Sequence, residues 1–233
     1  MGTVLLVVGV VSGALLIGAL IGLYLPLKPR VEGFIVALAG GALLLSCVTE
    51  LIQPTIADSS TMTAVLGVAA GSVLFTVIDY LIDEKWGSQS GGGMLAAVTV
   101  DGIPENLALG VALIGAGGKE VAALAAAILL SNLPEAASGA RAMREDAEFS
   151  NRRALAVWAA TAAILSLAAV GGWAFLQGLD DNSLGFIRCV AAGAVIASLA
   201  TEVFPQAFKE SRHMTGIATA IGVLMALLLS QLG

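Results

Sequence analysis

Apolar positions dominate this chain in blocks of roughly twenty residues, and proline, glycine, serine and charged positions cluster between the blocks. The breaks fall near 25–32, 53–60, 83–93, 115–120, 143–153, 178–184 and 209–214. The blocks lie at about 3–24, 33–53, 61–82, 94–114, 121–142, 154–177, 185–208 and 215–232, and each is long enough to cross a hydrocarbon core as a helix. The pattern predicts an all-α, polytopic membrane protein with eight transmembrane helices, forming a single transmembrane domain over 1–233.

Composition agrees. The chain is 58% hydrophobic and 12% charged, with a mean hydropathy of +0.95, outside the range of soluble domains. Residues 3–24 lack a leading Lys or Arg and run too long for a signal peptide, so they read as the first span. There is no basic stripe, which argues against nucleic acid as a partner; the bilayer is the expected environment. Cys47 and Cys189 fall in predicted spans without metal-ligand spacing and read as small packing residues.

Charge predicts orientation. Lys28, Arg30, Lys85, Arg141, Arg144, Arg152, Arg153, Lys209 and Arg212 follow odd-numbered spans, whereas only Lys119 and Arg188 follow even-numbered ones. Positive loops stay cytoplasmic. The expectation is a multi-pass protein of a plasma or inner cell membrane with both termini outside.

The spans also resemble one another. Helix 2 carries Ala39-Gly40-Gly41-Ala42, then Ser46, Thr49 and Glu50; helix 7 carries Ala191-Ala192-Gly193-Ala194, then Ser198, Thr201 and Glu202. A proline follows each, Pro54 and Pro205. Helices 4 and 5 match through Ile103-Pro104-Glu105 and Leu133-Pro134-Glu135. Both pairs run in opposite directions by the charge rule. This predicts an inverted repeat with a 3+2+3 arrangement, a construction common among secondary transporters.

The central pair carries the chemistry. An ionised side chain at mid-membrane costs on the order of 2.5–3.5 kcal/mol. Proline there also frees the carbonyl four residues back, here Val100 and Leu130. Asp101 and Glu105 share one helical face, as do Ser131 and Glu135, and Asn132 lies beside it. If these faces meet, three carboxylates, a hydroxyl and a carboxamide enclose one small space. Three such charges do not all remain ionised without a cation or protons. A hard divalent ion answers this with oxygen ligands. Glu50 and Glu202 are expected nearer the outer and inner helix ends, as pathway relays. Asp79, Asp83, Glu84, Asp180 and Asp181 read as solvated charge, and the lone His213 as a bystander in the last inner loop.

Together these features resemble the ZIP (Zrt/Irt-like) family of divalent-metal transporters. That family has eight helices in a three–two–three arrangement with both termini outside. Its helix 4 carries His-Asn-x-Pro-Glu-Gly and its helix 5 a related proline motif, and the two form a two-metal centre. In this chain Pro104 and Glu105 match, with Asp101 where the family has His, Gly102 where it has Asn and Asn106 where it has Gly. Asn132, Pro134 and Glu135 fit helix 5, while Ser131 replaces His or Gln and Ala136 replaces Glu or Gly. The chain thus looks like a divergent member without the usual histidines. The inner loop beginning Asp83-Glu84-Lys85-Trp86 offers no soft ligands either.

The resemblance implies a carrier of divalent cations (zinc, iron(II), manganese or similar) into the cytoplasm by alternating access, with the metal as substrate and no organic cofactor. A homodimer is in keeping with it. The oxygen-only set predicts one main site, formed by Asp101, Glu105, Ser131, Asn132 and Glu135, and a preference shifted toward harder ions. One half, the bundle holding helices 2 and 7, is expected to rock against the other. The alternative is a non-transporting relative acting as a metal sensor or assembly partner. An enzyme is not expected, because no Ser–His or Cys–His pair is available.

Overall fold

The computed structural model describes residues 1–25, 27–86, 91–115, 121–145 and 149–231, with the side chains of 82–98 outside the description. The sequence readings for the side chains of Asp83 and Glu84 therefore lie outside the description, as do residues 87–90 of the loop that follows and Lys119. The chain is helical throughout what is described: α1 (Gly2–Tyr24), α2 (Pro29–Asp58), α3 (Thr61–Trp86), α4 (Gly91–Ala112), α5 (Ala122–Glu145), α6 (Asn151–Leu176), α7 (Asp181–Ser211) and α8 (Met214–Ser230). Among the described residues, six helices are long and apolar enough to cross a membrane, and α8 is a shorter apolar helix of the same character.

Several helices extend beyond the apolar blocks. Pro29 opens α2 at its first turn, where its missing N–H costs nothing. Asp180 caps α7, its Oδ1 accepting from the backbone N–H of Asn182 and Ser183 at 3.1 Å. Hydropathy stops short of these ends because polar capping residues belong to the helix without belonging to its apolar run.

The surface is apolar, and the apolar interior encloses a set of polar side chains. Leu6, Val65, Val73, Leu167, Phe175 and Leu228 are all more than half exposed. Glu32, Ser46, Thr55, Glu105, Asn106 and Asn132 are buried. A protein in water would invert this; a protein in lipid need not. The helices instead approach through small residues. A methyl on Gly22 would meet the carbonyl of Ala137, one on Gly110 that of Ala169, one on Gly41 that of Thr219, and one on Gly193 that of Val68.

These approaches define the packing. α1 runs parallel to α5, with Gly18 at Leu133 and Gly22 at Ala137. α4 runs parallel to α6, with Gly102 at Leu165 and Gly110 at Ala169. α3 lies along α7, with Gly67 at Phe186 and Gly71 at Val190. α2 lies along α8, where Phe34 and Met214 line one small cavity and Gly222 meets Ala42. α1 and α6 also join, through the Ser166 hydroxyl on Ser12 at 2.7 Å. Exchanging α1 with α6, α2 with α7, α3 with α8 and α4 with α5 leaves this set of pairings unchanged. The packing units are therefore α1–α4–α5–α6 and α2–α3–α7–α8, each drawing helices from both ends of the chain. Close pairing selects glycine-bearing faces, and those belong to helices remote in sequence.

One local feature is not predicted by the hydrophobic pattern. In α2 and in α7, 18 α-helical residues lead into a π turn, Cys47–Ile52 and Leu199–Val203, before the α-helix resumes. Each π turn carries the Thr-Glu pair, Thr49-Glu50 and Thr201-Glu202. A π turn adds a residue to one turn and re-aims the side chains beyond it, and such turns concentrate at functional sites.

Candidate metal centre

Pro104 and Pro134 both lie inside their helices, α4 and α5, so each helix carries a broken hydrogen bond beside its glutamate. Glu105 is 3% exposed, and its Oε2 finds no hydrogen-bond partner. Asp101 faces it from one turn earlier on the same helix, with Oδ1 also buried and unpartnered. Glu135 of α5 lies within electrostatic reach of both, and its carboxylate accepts from the Ser131 hydroxyl one turn back. Asp101 and Glu105 thus lie one turn apart on α4, Ser131 and Glu135 one turn apart on α5, and Glu135 is in electrostatic reach of both α4 acids.

The remaining predicted ligand sits differently. Asn132 is 1% exposed, and its Nδ2 donates to the backbone carbonyl of Val11 on α1 at 3.1 Å. Its amide nitrogen is occupied in tying α5 to α1. Asn106 behaves similarly: Nδ2 donates to the Gly102 carbonyl at 2.9 Å, while Oδ1 is buried without a partner.

Glu202, expected as a relay near the inner end of its helix, has its carboxyl paired with Asp101, and on its other side with Asp79 of α3. Asp79 is half-buried against α7, not solvated charge closing a helix. The physical cause is the pairing of α3 with α7, which turns Asp79 inward, together with the π turn that aims Glu202 at α4. Five carboxyl groups from four helices therefore form a continuous row: Glu105 and Glu135, then Asp101, then Glu202, then Asp79. A sequence signal for Asp79 exists only in retrospect, as an acid one turn inside the predicted end of an apolar block.

Glu50, the counterpart of Glu202, is half-buried next to Thr49 and does not join the row. Cys47, which opens the same π turn, is fully buried and within electrostatic reach of Glu105. Both cysteines are free. His213 is exposed at the cap of α8, remote from these acids. Asp180 and Asp181 lie at the exposed start of α7, as read from the sequence. At Asp180 the side-chain and backbone hydrogen bonds from Ser183 hold the carboxyl below the usual aspartate range.

Among the described residues, no three Asp, Glu, His or Cys side chains converge closely enough to clasp one ion as they stand. The row is a string of acids, each within reach of the next. Uncompensated, such a string is costly to bury. It gains favourable partners when cations or protons enter it.

No family model matches the chain, and no curated protein matches it.

Proposed function

We propose that this protein is a carrier that moves divalent metal cations across a membrane through the row of carboxylates on α4, α5, α7 and α3. The observation that carries the proposal is that Asp101, Glu105 and Glu135 lie within electrostatic reach of one another at two broken helices, with buried oxygens of Asp101 and Glu105 left unpartnered. Such oxygens require a proton or a cation, and the freed Val100 and Leu130 carbonyls supply further acceptors. The principal ligands are Glu105 and Glu135, with Asp101 as third carboxylate and Ser131 as hydroxyl donor. Asn132 contributes its carbonyl oxygen, its nitrogen being held by Val11. The resemblance to ZIP transporters points the same way.

Glu202 and Asp79 extend the site into a path. Passing an ion from Asp101 to Glu202 and then Asp79 moves it toward the end of the molecule that bears Arg141, Arg144, Lys209 and Arg212. Glu50 serves the opposite approach. In this reading the chain has eight transmembrane helices in an inverted repeat with both termini outside, and substrate enters the cytoplasm. The two packing units move against each other about the site, each repeat contributing equivalent helices to both. The substrates are ions that accept oxygen ligands, manganese, iron(II) and zinc among them, and harder ions are favoured.

The test is uptake of manganese or zinc into proteoliposomes holding the purified protein. Metal-dependent accumulation above protein-free vesicles supports the reading. Its absence, with saturable binding retained, supports instead a sensor that binds without transporting.

A further inference from the structure

A second set of charges lies about two turns beyond Glu135 along α5. Arg141 Nη1 pairs with Glu32 Oε2 of α2 at 3.0 Å, with the Glu32 side chain 1% exposed and that of Arg141 26%. Glu210 of α7 approaches both. Glu32 Oε1 and Glu210 Oε2 are buried and without hydrogen-bond partners. Backbones are close here as well: a methyl on Gly33 would strike Glu210 Cβ and the Ala207 carbonyl. On the α5 side, Arg141 also reaches the Leu27 carbonyl at 3.5 Å, and Arg144 donates to the Leu23 carbonyl at 2.7 Å.

This cluster joins the two packing units, because Arg141 belongs to one and Glu32 and Glu210 to the other. Among the described residues it has no counterpart at the opposite end. The exchange that relates the repeats puts Val111 at the place of Arg141 and Leu184 at that of Glu32, both buried and apolar. Asp58, the counterpart of Glu210, lies 3.8 Å from Arg188 of α7, inside a single unit.

We infer that Glu32, Arg141 and Glu210 form a clasp that holds the positively charged end of the molecule shut between α5 and the α2–α7 pair, and that biases the protein toward the state seen here. The inference rests on the two-unit carrier reading. A packed repeat exchanged against its twin has two near-equivalent arrangements, so an interaction present at only one end tilts their balance. A half-buried ion pair whose carboxylate is enclosed suits this role. It is costly to break one partner at a time, and it is directional where apolar contacts are not.

The test uses a reporter cysteine at Ser138, which lies on the α5 stripe between Glu135 and Arg141 and is 6% exposed. Purified full-length protein in nanodiscs, with Cys47→Ala and Cys189→Ala, is labelled with a membrane-impermeant maleimide. Slow labelling is expected with the clasp intact, rising by about tenfold or more in Glu32→Gln, Glu210→Gln and their double variant. The charge swap Glu32→Arg with Arg141→Glu keeps one arginine among two carboxylates and is expected to restore slow labelling. Equal labelling in all variants overturns the inference, as does fast labelling in the swap. Because the readout needs no metal, a protected site without any metal uptake would reject the carrier reading while leaving the clasp standing.

Discussion

Glu202 of α7 lies between Asp101 of α4 and Asp79 of α3, so a side chain from one packing unit reaches the proline-broken helix of the other. Glu202 lies within the π turn Leu199–Val203. It extends the acids of α4 and α5 into a row that has a direction.

Glu105→Gln and Glu135→Gln, made singly, are predicted to reduce metal uptake to background while full-length protein accumulates normally in the membrane. A carboxamide keeps the volume but removes the charge that receives the ion, and it satisfies no worse the buried position of Glu105 Oε2. Normal uptake in both variants would show the site to be misplaced.

Asp79→Asn and Glu202→Gln are predicted to slow turnover by about tenfold while leaving equilibrium binding at the Glu105–Glu135 centre nearly unchanged. They act on passage rather than on capture. Initial uptake rates together with calorimetric titration separate the two. A solvated Asp79 would leave both quantities as in the parent protein.

Manganese is predicted to compete with zinc at comparable concentrations in the purified protein, because the principal donors are oxygens. Cys47→Ser should not alter that ratio, since the thiol packs in the apolar core around α2 and α7. Zinc binding that manganese fails to displace would reject the oxygen-only set.

Gly22→Ala is predicted to destabilise the protein by about 1–3 kcal/mol, because the added methyl would strike the Ala137 carbonyl. Gly9→Ala is the control. Nothing lies within 4 Å of its added methyl, so improved helix propensity should leave it neutral or slightly more stable. Thermal unfolding in one detergent compares them, and equal losses would show that the α1–α5 approach is looser than described.

Asp180 supplies a pH signature. Its carboxyl is held below the usual aspartate range by Ser183, so its capping contribution is fully present above about pH 4 and fades as pH falls through the lowered folded value. Asp180→Asn should keep the cap and lose that dependence, and Asp180→Ala should lose both. Unfolding temperatures at pH 3 and pH 6 provide the measurement; identical pH dependence in Asp180→Asn and the parent would reject the assignment.

The sequence by itself determined what depends on order along one helix. Apolar blocks marked the helices, because twenty apolar residues have few other places to go. Pro104 and Pro134 marked the breaks, and i, i+4 spacing put Asp101 with Glu105 and Ser131 with Glu135. The likeness of helices 2 and 7 was equally legible, and it reappears in their matched π turns. Only the tertiary structure decided which helices touch. Between helices in lipid the selection is made by close approach of small faces, and Gly22, Gly110, Gly41 and Gly193 choose partners far away in the chain. For that reason Asp79 read as solvated charge, unconnected to the relay residue Glu202, until α3 was seen lying along α7. Glu32 and Arg141, likewise, had no visible connection until α5 was seen packed between α1 and α2.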